Sequence, residues 1–262
     1  MKGFTMLRLM PSPLKRPQFH FLTLFYLLTN LGNATCAQEL TQDRGLWAPI
    51  TLKSPVYKKV EASLEVQPRW QSTAENGISE NIIRAGLGFR LTKNVSIFGG
   101  YYWSSKFEEE LDWENRLWQQ ITYSKKFARF SLQNRTRLEE IAQEEPLGAA
   151  WRVRHQIRFS YDLPKTKWYV VVAEEPFFYL NGQENGPRQG FNQNRVTLAV
   201  GRKINRCVRT ECGYINQYKN NRGSPDLVNH ILLTQVSIDL DNFFSQKKFK
   251  LAHNHHLKAA AP

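Results

Sequence analysis

The stretch Val60–Gln71, VEASLEVQPRWQ, alternates between two kinds of side chain at every second position. Its even-numbered residues are apolar, whereas its odd-numbered residues are charged or polar. A β-strand directs successive side chains to opposite faces of a sheet. The stretch therefore predicts a strand with one apolar face and one polar face.

The alternating pattern returns nine more times along the chain. The further predicted strands cover residues 81–91, 95–105, 112–123, 130–139, 151–161, 168–178, 191–202, 208–218 and 229–240. Short connectors alternate with longer, more polar ones, which is typical of outer-membrane barrels with short periplasmic turns and long outer loops. The sequence predicts an all-β protein, an antiparallel up-and-down transmembrane β-barrel of about 10 strands over residues 60–240.

The residues that flank the predicted barrel leave the strand count open. A further strand at Trp47 to Leu52 belongs to an alternative with 12 strands. Pro49, Pro55 and the even strand number favour instead a periplasmic lead-in over residues 38–59. Residues 241–262 are predicted to form a flexible polar tail.

The beginning of the chain is typical of a secretory signal peptide. Residues 1–37 contain no acidic residue, and Lys15 and Arg16 precede an apolar stretch from Phe19 to Leu31. That stretch is too short to cross a bilayer comfortably, and small residues follow it. We expect cleavage after Ala37 and a location in the outer membrane of a Gram-negative bacterium.

The composition bears on the partners of the protein. The formal net charge is +13, of which the first 37 residues contribute four positive charges. Nucleic-acid binding is one reason for a basic chain, but an exported protein favours outer-membrane lipid and the barrel-assembly machinery as partners.

The longest apolar run after the leader is Trp168 to Ala173, so a spanning structure would have to be a closed barrel. Tryptophans near strand ends, including Trp47 and Trp113, predict an interfacial girdle.

Strand parity directs most of the charged side chains into the predicted lumen. The predicted lumen network consists of Arg69, Arg84, Arg90, Glu114, Arg116, Arg135, Arg137, Glu139, Arg152, Arg154, Arg158, Arg195 and Glu211. A barrel of about ten strands has little more room than its own side chains need. We therefore expect arginine–carboxylate pairs to fill the lumen, with a weak preference for anions from the excess of arginine.

The sequence offers little support for catalysis. A lipid-hydrolysing site needs a nucleophile, a histidine and a group that orients the histidine. His155 lies on the apolar face, where its neighbours on the same strand are Val153 and Ile157 and no serine is beside it. Three histidines after residue 250 lie in a polar tail without fixed geometry. We expect no catalytic residue, no metal site and no cofactor.

Two cysteines suggest a local crosslink. Cys207 and Cys212 flank four residues at a predicted turn. An oxidising compartment permits a disulfide between them. The alternative is that both are small buried residues without a bond.

Several short motifs occur in an order that resembles a bacterial family. They are Trp47, Gln67-Pro68-Arg69, Glu114-Asn115-Arg116, Asn134-Arg135-Thr136-Arg137-Leu138-Glu139, Trp151-Arg152-Val153-Arg154, Asn194-Arg195, Glu211-Cys212-Gly213-Tyr214 and Asn229-His230. The chain resembles proteins with domain of unknown function 2490, which implies an outer-membrane barrel and no assigned activity. We expect a structural role or the passage of small polar or anionic solutes; the alternative is a lipid-modifying outer-membrane enzyme.

Overall fold

The described part of the chain forms twelve strands of one β-sheet in the computed structural model. The structure describes residues 40–72, 77–107, 111–142, 148–182, 186–221 and 224–241. The predicted signal peptide and almost all of the predicted tail lie outside these ranges. The strands are β1 Leu40–Trp47, β2 Ile50–Tyr57, β3 Val60–Gln71, β4 Ile78–Arg90, β5 Val95–Phe107, β6 Leu111–Phe127, β7 Phe130–Ala142, β8 Ala149–Asp162, β9 Trp168–Tyr179, β10 Gly190–Lys203, β11 Val208–Lys219 and β12 Asp226–Asp239.

The sheet closes into a ring. Consecutive strands from β2 to β12 pair in chain order, and each of these pairs is antiparallel. The last strand, β12, then pairs with both β1 and β2. Among the described residues, no helix has the length and hydropathy of a membrane span.

The strands β1 and β2 lie end to end between β12 and β3, where together they occupy the place of one strand. β1 runs parallel to β12 from Leu40 opposite Asp226 to Trp47 opposite Leu233, and it is antiparallel to β3. β2 continues this seam, again parallel to β12 and antiparallel to β3. Eleven strands therefore close the ring, and the twelfth strand shares the seam.

The prediction of a wholly antiparallel barrel of ten strands was wrong at this seam. The ten predicted segments coincide with β3–β12, but the expected lead-in at 38–59 contains β1 and β2. Pro49 interrupts the pairing only locally, because its carbonyl accepts a hydrogen bond from Val236 N at 3.0 Å and Ala48 N donates to Pro68 O at 3.1 Å. An odd number of strands closes the ring because the seam is parallel on one side.

The two faces of the ring have opposite character. Large apolar residues that point outward are exposed, such as Leu87 at 63% and Leu117 at 56%. The other exposed aliphatic and phenylalanine side chains on this face include Leu64, Val66, Ile83, Phe89, Ile97, Ile121, Ile157, Phe159, Val170, Val172, Val196, Leu198, Val200 and Leu232. Buried arginines and glutamates point inward. The strand parity of Val60–Gln71 thus extends around the ring, with an apolar outer face and a charged interior.

The connectors define two ends of the barrel. The turn end carries the connectors 58–59, 91–94, 128–129, 163–167 and 204–207. The loop end carries 72–77, 108–110, 143–148, 180–189 and 220–225. Lys58 and Ala128 have φ angles of 46° and 51°, as expected in two-residue hairpin turns. The predicted alternation of connectors is present, although 108–110 is shorter than expected.

A pair of adjacent glycines tests how closely the barrel wall is packed. A Cβ at Gly100 would overlap the carbonyl oxygen of Ala85 and lie 2.6 Å from the Cα of Gly86, whereas a Cβ at Gly99 would meet only Trp118 O at 3.7 Å. We expect Gly100→Ala to lower the free energy of unfolding by about 1–3 kcal/mol, as overpacking does. Gly99→Ala is the control and leaves the thermal midpoint of the β-sheet circular dichroism signal unchanged. Equal midpoints for the two variants would contradict this packing.

Candidate functional site

The candidate site is the charged interior of the ring. It contains the thirteen side chains that the sequence predicted to line the lumen. Twelve of them form ion pairs with carboxylates or guanidiniums of the described residues, and Arg195 forms none. The site extends from the turn end to the loop end of the barrel.

Glu139 is a carboxylate hub in the lumen, with only 1% of its surface exposed. Arg152 donates to its Oε2 from Nε at 3.0 Å and from Nη2 at 2.6 Å, while Arg154 Nη1 lies 3.3 Å from Oε1. Arg116 and Arg137 approach the same carboxylate at 3.6 Å and 3.8 Å. One negative charge therefore attracts four guanidinium groups in a place that water hardly reaches.

Glu175 is a second carboxylate hub, which was not among the predicted lumen residues. Arg154 binds it with a fork, Nε to Oε1 at 2.8 Å and Nη2 to Oε2 at 3.0 Å. Arg135 Nη2 donates to Oε1 at 2.7 Å. Glu175 lies on the same face of β9 as Tyr169 and Val171, which are also buried, so the two-residue period of the strand could have placed it inside. The inward face of β9 is otherwise apolar, so its alternation was hidden.

Further pairs extend the network toward the loop end. Arg69 Nη1 donates to Glu80 Oε2 at 2.6 Å, and Tyr102 Oη donates to Glu80 Oε1 at 2.9 Å. Arg84 pairs with Glu65. Glu80 was not among the predicted lumen residues, because the second predicted segment began at residue 81, one residue after it.

Other pairs lie toward the turn end. Arg158 Nη2 donates to Glu211 Oε1 at 2.5 Å, and Tyr169 Oη donates to the same oxygen at 2.8 Å. Arg90 pairs with Glu61 and, at 3.2 Å, with Asp241. Carboxylates therefore hold arginines at several levels along the lumen.

Aromatic rings share the lumen with the arginines. The ring of Phe177, which is 0% exposed, has the guanidinium carbons of Arg154 and Arg195 each 4.6 Å from its centroid. Trp47 has Arg69 at 3.9 Å and Arg195 at 4.8 Å. The prediction that Trp47 belongs to an interfacial girdle was wrong, because β1 ends with this side chain buried inside the ring. Such cation–π contacts stabilise guanidiniums that lack water.

Two cavities divide the remaining space in the lumen. The loop-side cavity, of about 260 Å³, includes Ser79, Lys106 and Asn192 near the loop end. The turn-side cavity, of about 680 Å³, includes Lys93 and Lys126 near the turn end. Five residues line both cavities and form the layer between them: Trp47, Arg69, Arg84, Arg154 and Arg195. Side chains therefore fill the middle of the lumen.

The two cysteines do not form the suggested crosslink. Both thiols are free, and Cys212 lies inside β11 instead of at a turn. Five residues of extended strand place Cys207 and Cys212 roughly 16 Å apart. A disulfide requires Cα atoms within about 7 Å of each other. The turn covers residues 204–207, whereas the suggestion placed it between Cys207 and Cys212.

The outer face of the barrel contains a histidine next to a hydroxyl group. Thr136 lies opposite His155 on the neighbouring strand, and its Oγ1 is 2.8 Å from His155 Nδ1. Residue spacing along the strand of His155 does not indicate this threonine, because it lies on the neighbouring strand. Among the described residues, no three histidine, cysteine or carboxylate side chains are grouped so that they could hold a metal ion.

The hub at Glu139 gives a sharp test of the network. We expect Glu139→Gln to lower the free energy of unfolding by about 3–5 kcal/mol, because removing one partner leaves buried charges uncompensated. Asp112→Asn is the control, since Asp112 is exposed and pairs with Lys106 at 3.3 Å; it should change stability by about 0–1 kcal/mol. Urea unfolding of the purified protein measures both. A midpoint for Glu139→Gln equal to that of the wild type would contradict the role of the hub.

Comparison with known proteins places this chain in a family. The model of a family described as "Protein of unknown function (DUF2490)" matches residues 44–228, which include all thirteen predicted lumen residues. A protein of Methylorubrum extorquens, described as uncharacterized, is 30% identical over 208 residues that cover 76% of this chain and 89% of the relative. No solved structure matches the chain. The chain therefore belongs to the family of proteins of unknown function designated DUF2490.

Proposed function

We propose that this protein is an outer-membrane β-barrel with a narrow cationic lumen, which acts as a structural element of the membrane or passes small anionic solutes slowly. The observation that carries the proposal is the opposite character of its two faces. Apolar side chains are exposed around the outside of the ring, while arginine and glutamate fill the inside. This arrangement is expected for a barrel that contacts lipid.

The apolar outer face supports a lipid environment. Contiguous apolar patches of this kind are rare on soluble proteins, because water contacts them unfavourably. Closure of the ring also gives the backbone groups of the strands hydrogen-bond partners within the sheet, which a bilayer requires. We assign residues 1–37 the role of an export signal, and we propose outer-membrane lipid and the barrel-assembly machinery as partners.

The contrast between the two ends supports an orientation. Outer-membrane barrels have short turns at the periplasmic end and longer loops outside. In the proposed orientation the turn end faces the periplasm and the loop end faces outward. The loop-side cavity is then the first part of the lumen that an external solute meets.

The filled lumen supports slow passage over an open pore. Wide aqueous channels belong to barrels of about sixteen strands, whereas small barrels hold little more than their own side chains. The loop-side cavity is lined by six arginines and two lysines, with Glu80 as its one carboxylate among the described residues. A path of this composition favours anions over cations.

A lipid-modifying enzyme is the second candidate. The contact of 2.8 Å between Thr136 Oγ1 and His155 Nδ1, on the outer face, is the observation that favours it. A hydroxyl activated by histidine can attack an ester. No carboxylate of the described residues pairs with His155, so the orienting member of a triad is missing. Lipid turnover by the purified protein that disappears in His155→Ala would favour this candidate.

Cell fractionation tests the proposed location. We expect the protein to sediment with outer-membrane markers and to remain there after washing with carbonate or high salt, because the apolar outer face is embedded in lipid. Folded barrel and boiled protein should also migrate differently on gels. A known periplasmic protein serves as the control that the washes release. Recovery of this protein with the periplasmic control would contradict the proposal.

Planar-bilayer recording tests the proposed lumen. We expect the wild type to show no large open steps and its residual current to be carried by anions. Trp47→Ala removes an indole from the layer between the two cavities, so its conductance should increase. Trp113→Ala is the control, because Trp113 is exposed on the outer face. Large stable steps from the wild type would contradict the filled lumen, and cation selectivity would contradict the charge assignment.

A further inference from the structure

Arg195 differs from the other arginines of the lumen in its surroundings. It forms no ion pair with a carboxylate of the described residues, and its guanidinium lies over the rings of Trp47 and Phe177. The amide of Gln217 lies 3.1 Å from its Nη2 and 3.2 Å from its Nε, and accepts both hydrogen bonds when the amide oxygen faces the guanidinium. The direct partners of Arg195 are therefore neutral.

The charges around Arg195 do not neutralise it. The guanidiniums of Arg69, Arg154 and Arg152 repel it, and Glu175 attracts it without forming an ion pair with it. Glu175 is already hydrogen-bonded to two other arginines. An arginine cannot release its charge by losing a proton within any ordinary pH range. A partly buried cation without a counterion is unfavourable, so this position attracts an anion.

The network as a whole has more cations than anions. In the centre of the lumen, ion pairs and cation–π contacts join eight arginines and only five glutamates. The arginines are Arg69, Arg84, Arg116, Arg135, Arg137, Arg152, Arg154 and Arg195, and the glutamates are Glu65, Glu80, Glu114, Glu139 and Glu175. The Nε atoms of Arg69 and Arg84 are buried and have no hydrogen-bond partner. Both side chains line the loop-side cavity. Donors without acceptors thus accompany the surplus charge.

The loop-side cavity has a size that suits a small anion. Its volume is about 260 Å³, the share of roughly nine water molecules. We infer that this cavity is a binding site for an oxyanion of the phosphate or sulfate class, with Arg195 as its central ligand and Arg69 and Arg152 beside it. Guanidinium forks match the oxygen spacing of such anions. The inference rests on the proposed function and deepens it, since it names the solute class that the lumen takes up.

Thermal unfolding of the purified protein in detergent micelles tests the inference. Phosphate replaces chloride at constant ionic strength and pH 7, and the midpoint of the β-sheet circular dichroism signal is recorded. Because a ligand that binds only the folded state stabilises it, the wild-type midpoint should rise with phosphate and then follow the logarithm of its concentration. Arg195→Gln should weaken the apparent phosphate affinity at least tenfold. Its midpoint in chloride alone should equal or exceed that of the wild type, because like charges no longer repel each other.

Control variants distinguish an arginine that binds phosphate from one that only stabilises the fold. Arg209→Gln removes the same charge from the turn-side cavity and should keep the full phosphate response. Arg195→Lys, which keeps the charge without the fork, gives an intermediate response and serves if Arg195→Gln does not fold. A lower midpoint in chloride with an unchanged phosphate response for Arg195→Gln would overturn the inference. A wild type that responds to phosphate no more than to chloride would also overturn it.

The source of the oxyanion is resolved by a second titration. Short-chain phosphatidic acid that binds more tightly than phosphate assigns the site to a lipid head group at the mouth of the barrel, and equal or weaker binding assigns it to a free anion. Detergent-solubilised protein reports binding without a membrane or a current. A failure of phosphate binding is therefore distinguishable from a failure of the proposed location or solute passage.

Discussion

The seam between β12 and the strands β1 and β2 is the constraint on which the rest of the structure depends. Without it, β12 and β3 would be sheet edges with unpaired backbone groups, which invite pairing with other chains. The parallel pairing from Leu40 to Trp47 and the continuation from Ile50 to Lys53 remove both edges. The seam also determines the interior, because β1 brings Trp47 opposite Arg69 and the guanidinium then stacks on the indole.

Because the ring is closed, the polar faces of its strands all point into one narrow space, where their charges must be compensated. β8 directs Arg152, Arg154 and Arg158 inward on a single strand. Its two neighbours supply the countercharges for two of these arginines, since Glu139 on β7 lies opposite Arg152 and Glu175 on β9 binds Arg154. The third, Arg158, pairs with Glu211 on β11. Buried ion pairs are not by themselves evidence of high stability, because desolvation opposes their attraction. Here they allow a row of arginines to coexist in a narrow lumen.

Sequence reasoning predicted the strands and the faces better than the closure and the partners. The two-residue period of Val60–Gln71 and its nine counterparts gave β3–β12 and the inward position of the arginines. The seam was missed because Pro49 and Pro55 suggested the end of a sheet, while the structure accommodates Pro49 between two strands. Parity along one strand gives no information about the neighbour across the sheet. For that reason Thr136 beside His155 was not foreseen, and Glu175 was not recognised as a partner of Arg154.

Most arginines of the lumen have a carboxylate partner that stabilises them, whereas Arg195 has none among the described residues. Toward the turn end, Arg158 has a glutamate, and in the centre Arg152 and Arg154 share two of them. At Arg195 the chain instead provides aromatic rings and the amide of Gln217. A glutamate has nearly the same shape as a glutamine, so a carboxylate at position 217 would neutralise the guanidinium at the cost of the amide donor that Gln217 shares with Gln193 and Asn229. Local departures from the most stable arrangement are expected at functional sites. The uncompensated arginine therefore supports the proposed oxyanion site, because stability alone does not require a cation without a carboxylate partner.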